Sequence, residues 1–331
     1  MKKKKKGFWK RNIGLAFVMP WLIGLLVFKL YPFAASFIYS FHSYNLFKTA
    51  SFTGLENYKY ILGDKLIIKA FIQTFKYAFL TVPLELMFAL FIAYILNNKI
   101  RGLNFFRTIY YIPSILGGSV SIAVLWKFLF KTEGLVNIML GALGIPAFNW
   151  LGNPDGAFFV IVLLRVWQFG SPMVIFLAAL KGVQGDLYEA AAIDGAGKWK
   201  QFFQITVPLI TPVIFYNFVT QLCHKFQEFN GPFIVTQGGP LRSTTLVSLL
   251  VYNEAFKRNE MGLASAIAWL LFLVIMTFTA VAFISQKYWF TMRTRMGGRA
   301  YDRKEKARLN LFLRYLLLIG LGIVMIYPCA G

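Results

Sequence analysis

Long apolar runs divided by short polar stretches dominate the chain. A bilayer core of roughly 30 Å takes about 20 apolar residues at about 1.5 Å rise each. Six stretches meet that length: roughly 13–38, 70–96, 105–130, 157–181, 207–230 and 262–286. A further run, about 309–328, follows a basic segment and would make a seventh helix. None alternates apolar and polar positions with the period of two expected of barrel strands. Backbone groups inside lipid must be satisfied within their own segment, so the expected fold class is all-α: a polytopic helical membrane protein with a six-helix core.

Charge sets the orientation. Lys2 to Lys6, Lys10 and Arg11 make residues 1–12 a basic N-terminus expected to stay in the cytoplasm. That places the loop with Lys99, Arg101 and Arg107 inside, with the loop from Lys181 to Lys200 and the basic stretch from Lys287 to Arg308. The opposite loops mix Lys48, Lys59, Arg242 and Arg258 with Glu56, Asp64, Glu133 and Asp155. Both ends of the six-helix unit, residues 13–290, are therefore expected on the cytoplasmic side. The lysine cluster before an apolar run is not read as a cleaved signal peptide, because no small-residue cleavage site follows; its role is topology and contact with lipid headgroups.

Composition agrees. The chain has 331 residues, 58% hydrophobic and only 15% charged, with a net charge of +22 and mean hydropathy of +0.60. These values exclude a disordered or disulfide-stapled scaffold. They exclude nucleic-acid binding too, since the basic residues lie between apolar runs rather than on one surface. Cys223 and Cys329 both sit in apolar segments and carry no redox information. Two histidines, His42 and His224, stand far apart, so no metal site is expected.

One inside loop does not read as a linker. Asp186 followed by Glu189 is a helix-start pattern, the alanines at 190–192 extend that helix, and Gly195 and Gly197 end it. Lys198 to Ile205 would then form a second short helix with Trp199, Phe202 and Phe203 on one edge. The loop, residues 186–208, contains Glu189-Ala190-Ala191, three residues, Gly195, nine residues, then Ile205, Val207 and Pro208. This spacing resembles the Glu-Ala-Ala signature of permease subunits of binding-protein-dependent ABC importers, with Val207 where leucine is usual.

The resemblance extends over residues 10–290 to the carbohydrate, maltose-type branch of that family, through Phe52 to Tyr58, Asn149 to Gly152, Gly238 to Pro240 and Met261 to Ala266. Gln73-Thr74 departs from the usual Asn-Thr. It implies a non-catalytic subunit in the cytoplasmic membrane that binds no cofactor itself, with ATP and Mg on a cytoplasmic ATPase dimer. A second permease would complete a heterodimer and an extracytoplasmic binding protein would deliver a sugar or oligosaccharide. The loop would couple membrane to motor through Glu189, Ala190, Ala191, Asp194, Gly195, Ile205 and Pro208. In particular, Glu189 would pair with an ATPase arginine; alternatively it only completes a capping box with Asp186. No G-x-x-x-x-G-K-[ST] loop occurs, so hydrolysis by that route is excluded for this chain.

Polar residues also cross the membrane. Asn217, Gln221, His224 and Glu228 follow a 4-3-4 spacing and fall within about 60° of one another on a helix. Such a face normally looks into a bundle interior or a cavity, which makes it the candidate substrate path. Trp126, Trp167 and Tyr216 would supply rings for sugar stacking, and Gln168 and Ser171 polar contacts; helix-to-helix hydrogen bonding or plain aromatic packing explains the same residues. Lys225 and Glu228, three apart, would neutralise each other. Glu85 and Arg165 are further intramembrane charges that would pair with each other or with the partner permease.

Two rival readings stand beside the importer. An ion-coupled secondary transporter would use Glu85, Arg165 and Glu228 but leaves the 186–208 loop unexplained. An integral-membrane enzyme of lipid processing would need clustered acidic or histidine residues near one interface. Residues 291–331 stand apart: they carry eight basic and two acidic groups and resemble the start of the partner permease. Read one frame over, the codons for Thr291 to Gly297 can encode an acidic ending like that of the family. The expectation is therefore a frame change joining two adjacent genes; the alternative is a genuine extension with a seventh helix.

Overall fold

The computed structural model describes residues 8–289 except 46, 48 and 98–102. The lysines of residues 2–6, Lys48, Lys99, Arg101, the tail 291–331 and its expected helix lie outside the described residues.

Within them the chain is a helical bundle with one two-residue hairpin. The first span joins α1 (Phe8–Leu25), a π-helical turn (Leu26–Leu30) and α2 (Tyr31–Tyr39). β1 (His42–Ser43) and β2 (Ser51–Phe52) pair antiparallel, and α3 (Glu56–Gly63) leads to α4 (Lys65–Leu96). Asp64 starts α4 by accepting the Leu66 and Ile67 amides at 2.7 and 3.3 Å, which satisfies two of the orphan donors of a helix N-terminus. Next come α5 (Leu103–Leu116), α6 (Val120–Leu129), α7 (Leu135–Ala142), α8 (Pro154–Val166) and α9 (Gly170–Lys181). The described residues end with α10 (Gly185–Ile193), α11 (Lys198–Gln201), α12 (Val207–Phe226), α13 (Val247–Tyr252) and α14 (Met261–Trp289). Further π-helical turns occupy Phe202–Thr206, Pro232–Thr236 and Asn253–Lys257.

Among the described residues, four helices are long and apolar enough to cross a membrane, or six spans if each of two bent pairs counts as one. Two of the six apolar stretches are bent pairs rather than single helices. The stretch at 105–130 turns by 100° between α5 and α6, where Gly117 and Gly118 interrupt the ladder and Ser119 caps α6 through the Ser121 amide. The stretch at 157–181 bends by 42° between α8 and α9. The fifth span starts earlier and stops sooner than expected: it runs from Lys198 to Phe226.

α4 is the central post, packed against α8, α9 and α12. Ala70, Ala78, Ala89 and Ala93 face inward and are buried. Small side chains let helix backbones approach closely in lipid, where apolar burial alone drives little. Met173 and Phe176 of α9, Ile210 and Leu222 of α12 and Ile267 of α14 close around them. A second cluster on the other side of α4 joins Tyr77, Ala123, Val160, Ile161 and Leu246.

Candidate functional site

The loop singled out by sequence folds as a helix, a sharp turn and the start of the fifth span. α10 has no buried residue; Glu189, Ala190, Asp194 and Gly195 are exposed, and Ala191 is half-buried. Its N-cap is Gln184, without a side-chain cap bond. The helix thus starts one residue before Asp186, and the expected Asp186–Glu189 capping box is absent. At the other end Gly195 has φ of +77°, its amide bonds to Ala192 O at 3.0 Å, and the Ala196 amide reaches back to Ala191 O at 2.8 Å. That pair of bonds is the Schellman closure, which needs a left-handed residue where glycine stands.

Gln201 Nε2 donates to Ala196 O at 2.9 Å and Tyr188 hydroxyl meets Thr206 Oγ1 at 2.8 Å, fastening α10 to the following helix. The expected second short helix is not separate. Lys198 to Phe226 is continuous, with the π-helical turn at Phe202–Thr206 holding Ile205 and leading straight to Pro208. Trp199 and Phe203 stack at 6.2 Å and are 78% and 61% exposed. The loop therefore presents an apolar edge to its surroundings.

The polar residues of α12 meet partners from other helices. Lys225 Nζ lies 2.5 Å from Glu85 Oε2 of α4, and Arg165 Nε lies 3.1 Å from Glu228 Oε2. This corrects two sequence expectations. Glu85 does not pair with Arg165, nor Lys225 with Glu228; the pairs cross between helices, because tertiary packing brings the end of α12 against both α4 and α8. Gln221 accepts from Lys225 at 3.2 Å. Gln168, in the break between α8 and α9, accepts from Arg165 and donates to Gly117 O at 3.2 Å. A Cβ at Gly117 would overlap the Gln168 side chain, so the bare backbone there lets that bond form.

Other expected path residues are placed less uniformly. Asn217 is buried against the bundle, whereas Tyr216 and His224 of the same helix are exposed. Trp167 and Trp126 lie 5.3 Å apart, with the Trp126 indole donating to Val160 O at 3.2 Å. Ser171 is exposed, and its amide donates to Ser114 Oγ at 2.9 Å. The seam thus brings together Gln221, Glu228 and Gln168, with Trp167 adjoining, and leaves Tyr216 on the outside.

Sequence reasoning missed part of this seam. Thr81 and Tyr77 stand four and eight residues before Glu85, already singled out as an intramembrane charge, on one buried face of α4; that four-residue period was there to be read. Ser114 Oγ donates to Gln168 O at 2.7 Å and Asn230 Nδ2 to Gly118 O at 3.4 Å. Neither contact has a local signal, because both join segments more than 50 residues apart.

The family model for the binding-protein-dependent transport system inner membrane component matches residues 60–290. The chain is 42% identical over 292 residues to the probable ABC transporter permease protein YesP of Bacillus subtilis (strain 168), covering 87% of this chain and 94% of that protein. It is 34% identical over 280 residues to the trehalose/maltose transport system permease protein MalF of Thermococcus litoralis, covering 84% and 94%. Among solved structures, a chain of a bacterial alginate ABC transporter, in complex with an alginate pentasaccharide-bound periplasmic protein, superposes with a TM-score of 0.72. That match has 22% identity and covers 86% of this chain and 98% of the other; it speaks for the shared fold.

Proposed function

The chain belongs to the family of binding-protein-dependent transport system inner membrane components, multi-pass, non-catalytic permease subunits of ABC importers, and from that premise we propose that it moves a sugar or oligosaccharide inward across the cytoplasmic membrane. The power comes from a separate cytoplasmic ATPase dimer that binds ATP and Mg. A second permease subunit completes the channel, and an extracytoplasmic binding protein delivers the solute. The sugar-transport relatives support the carbohydrate assignment.

One observation carries the coupling part. A helix with no buried residue, bearing Glu189, Ala190 and Ala191, is closed by a glycine turn and fastened to the start of a continuous helix. That helix reaches, about 40 Å further on, the charged seam at Lys225. A push on α10 is thereby delivered to the interior along one rod. The alanines keep α10 thin enough for a groove on the ATPase, and Glu189 is free to meet an arginine there. N- and C-ends of the six-helix unit lie on the same, cytoplasmic, side. The solute follows the seam of Gln221, Glu228 and Gln168, hydroxyls bonding to the amides and sugar faces stacking on Trp167. The secondary-transporter alternative loses ground because Glu85 and Glu228 are each engaged by a cation.

Glu189→Lys tests the coupling. The expected outcome is normal insertion, abolished uptake and ATP hydrolysis no longer tied to transport; unchanged uptake would sink the assignment. Uptake by the intact importer should stop on ATP depletion whatever the proton gradient, and uptake that follows the gradient instead would favour the ion-coupled transporter.

A further inference from the structure

Four charges meet inside the bundle and balance to zero. Glu85 and Lys225 are 2% and 1% exposed, Glu228 is 8% exposed, and Arg165 keeps about a quarter of its side chain open. A buried ion pair roughly breaks even against a well-packed apolar pair, so stability alone gives no reason for four charges at this depth. Their positions suggest one.

Each of the three cross-linked charges besides Glu85 stands at an end of a helix. Arg165 is one residue from the end of α8, and Lys225 and Glu228 flank the end of α12 at Phe226. From there the network reaches the other interruption. Arg165 bonds Gln168, and Gln168 bonds Gly117 O in the sharp break between α5 and α6. Glu228 also accepts the Gly231 amide at 3.1 Å, and Asn230 donates to Gly118 O at 3.4 Å. Non-helical backbone at membrane depth is tolerated only where protein or water satisfies it. Here side chains do so at all three breaks: Gln168 and Asn230 between α5 and α6, Ser114 between α8 and α9, and Glu228 past the end of α12, while Lys225 and Glu85 tie that end to the central post α4.

We propose that Glu85, Arg165, Lys225 and Glu228 are positioning residues: a charge-neutral clamp that fixes the three helix breaks relative to one another and to α4, so that the solute path is moved as one body by the ATPase. The proposal rests on the importer reading. Its chemical content is neutrality: removing one charge strands its partner and prises the helices apart, whereas replacing a matched pair leaves two uncharged side chains that still pack across the same helices. Side chains whose charge itself had to meet the solute, or carry an ion, would follow the opposite rule.

The test uses the complete importer in proteoliposomes with both permeases, the ATPase and loaded binding protein. It compares Glu85→Gln, Lys225→Met and the double variant, measuring solute moved and ATP hydrolysed per assembled complex. Each single variant is expected to lower uptake by about tenfold or more with a smaller fall in hydrolysis, and the double to return within about threefold of the parent. A double variant as impaired as the worse single would overturn the clamp. So would singles that change only the yield of complex while uptake per complex and per ATP hold. Should the singles fail to accumulate, the double decides: it must assemble and transport within about threefold, and failing either overturns the proposal. A parent complex whose uptake ignores ATP would sink the importer reading itself, and the clamp with it.

Discussion

Two glycines in the exposed loop, two residues apart, make a matched experiment. Gly195 holds φ of +77° at the Schellman position, whereas Gly197 has φ of −66° and ψ of 163° as the N-cap of α11. A Cβ at either position meets nothing within 4 Å, so any difference between substitutions comes from backbone conformation alone. An L-residue in the left-handed region costs roughly 1–2 kcal/mol, and asparagine tolerates it better than alanine. Serine at Gly197 costs nothing by the same argument and supplies a favourable cap for α11.

Because α10 buries no residue, little else resists local opening, and a loss of about 1–2 kcal/mol multiplies the open population by about 5 to 30. Hydrogen exchange across residues 185–205 reads this directly. Gly195→Ala should exchange about 5 to 30 times faster, Gly195→Asn should recover most of the protection, and Gly197→Ser should match the parent or exceed it. If the turn must be stiff to pass force to the fifth span, uptake falls in the same order while α4 exchanges unchanged. Gly195→Ala with parent-like protection, or Asn no better than Ala, would refute the reasoning.

Other perturbations have equally definite outcomes. Thr74 is buried in α4 and its Oγ1 accepts the Val247 amide at 2.9 Å; Thr74→Val should cost about 1–3 kcal/mol in unfolding and Thr74→Ser much less, by denaturation in detergent. At the start of α4, burial tends to raise the Asp64 carboxyl, but the Leu66 and Ile67 amides, the Tyr60 hydroxyl and Arg242 together hold it below the usual range. The stability it lends is present above its unfolded pKa and is lost as pH falls through the lower folded value. An acid titration of the melting point should therefore flatten in Asp64→Asn, which keeps the cap, and Asp64→Ala should cost about 1 kcal/mol at neutral pH. Asn137, 5% exposed, donates to Thr132 O and Phe148 O and accepts from the Phe148 amide and the Trp150 indole. Asn137→Ala should loosen residues 131–150 in hydrogen exchange by tenfold or more, at about 1–3 kcal/mol for each buried group left unpaired, while α12 stays protected.

What could be read in advance divides along a physical line. A bilayer imposes a length on every span, so six apolar stretches were visible from composition alone. Averaging over such lengths is also why the breaks were not. Gly117-Gly118 barely shifts the mean hydropathy of its stretch, although the chain turns by 100° there. The exposed loop was legible because its determinants are local: alanines for the helix, a glycine at φ of +77° to close it, all within a dozen residues. Its start was misread for the same reason, since Asp186 and Glu189 have the right spacing for a capping box that the backbone begins too early to use.

The seam lay between these cases. That Asn217 and Gln221 recur along α12, with Glu228 just past its end, is a property of one segment, and the sequence displays it. Which cation meets which carboxylate is a property of three helices at once. Spacing alone favoured Lys225 with Glu228, three residues apart, but the helix ends between them at Phe226, so the two side chains leave in different directions toward α4 and α8. The same helix end that misled the local rule is what allows one short segment to hold two other helices. A charge pattern that fails the i,i+3 rule inside a membrane span is therefore a signal in its own right: it marks a place where the helix stops and the bundle is tied together.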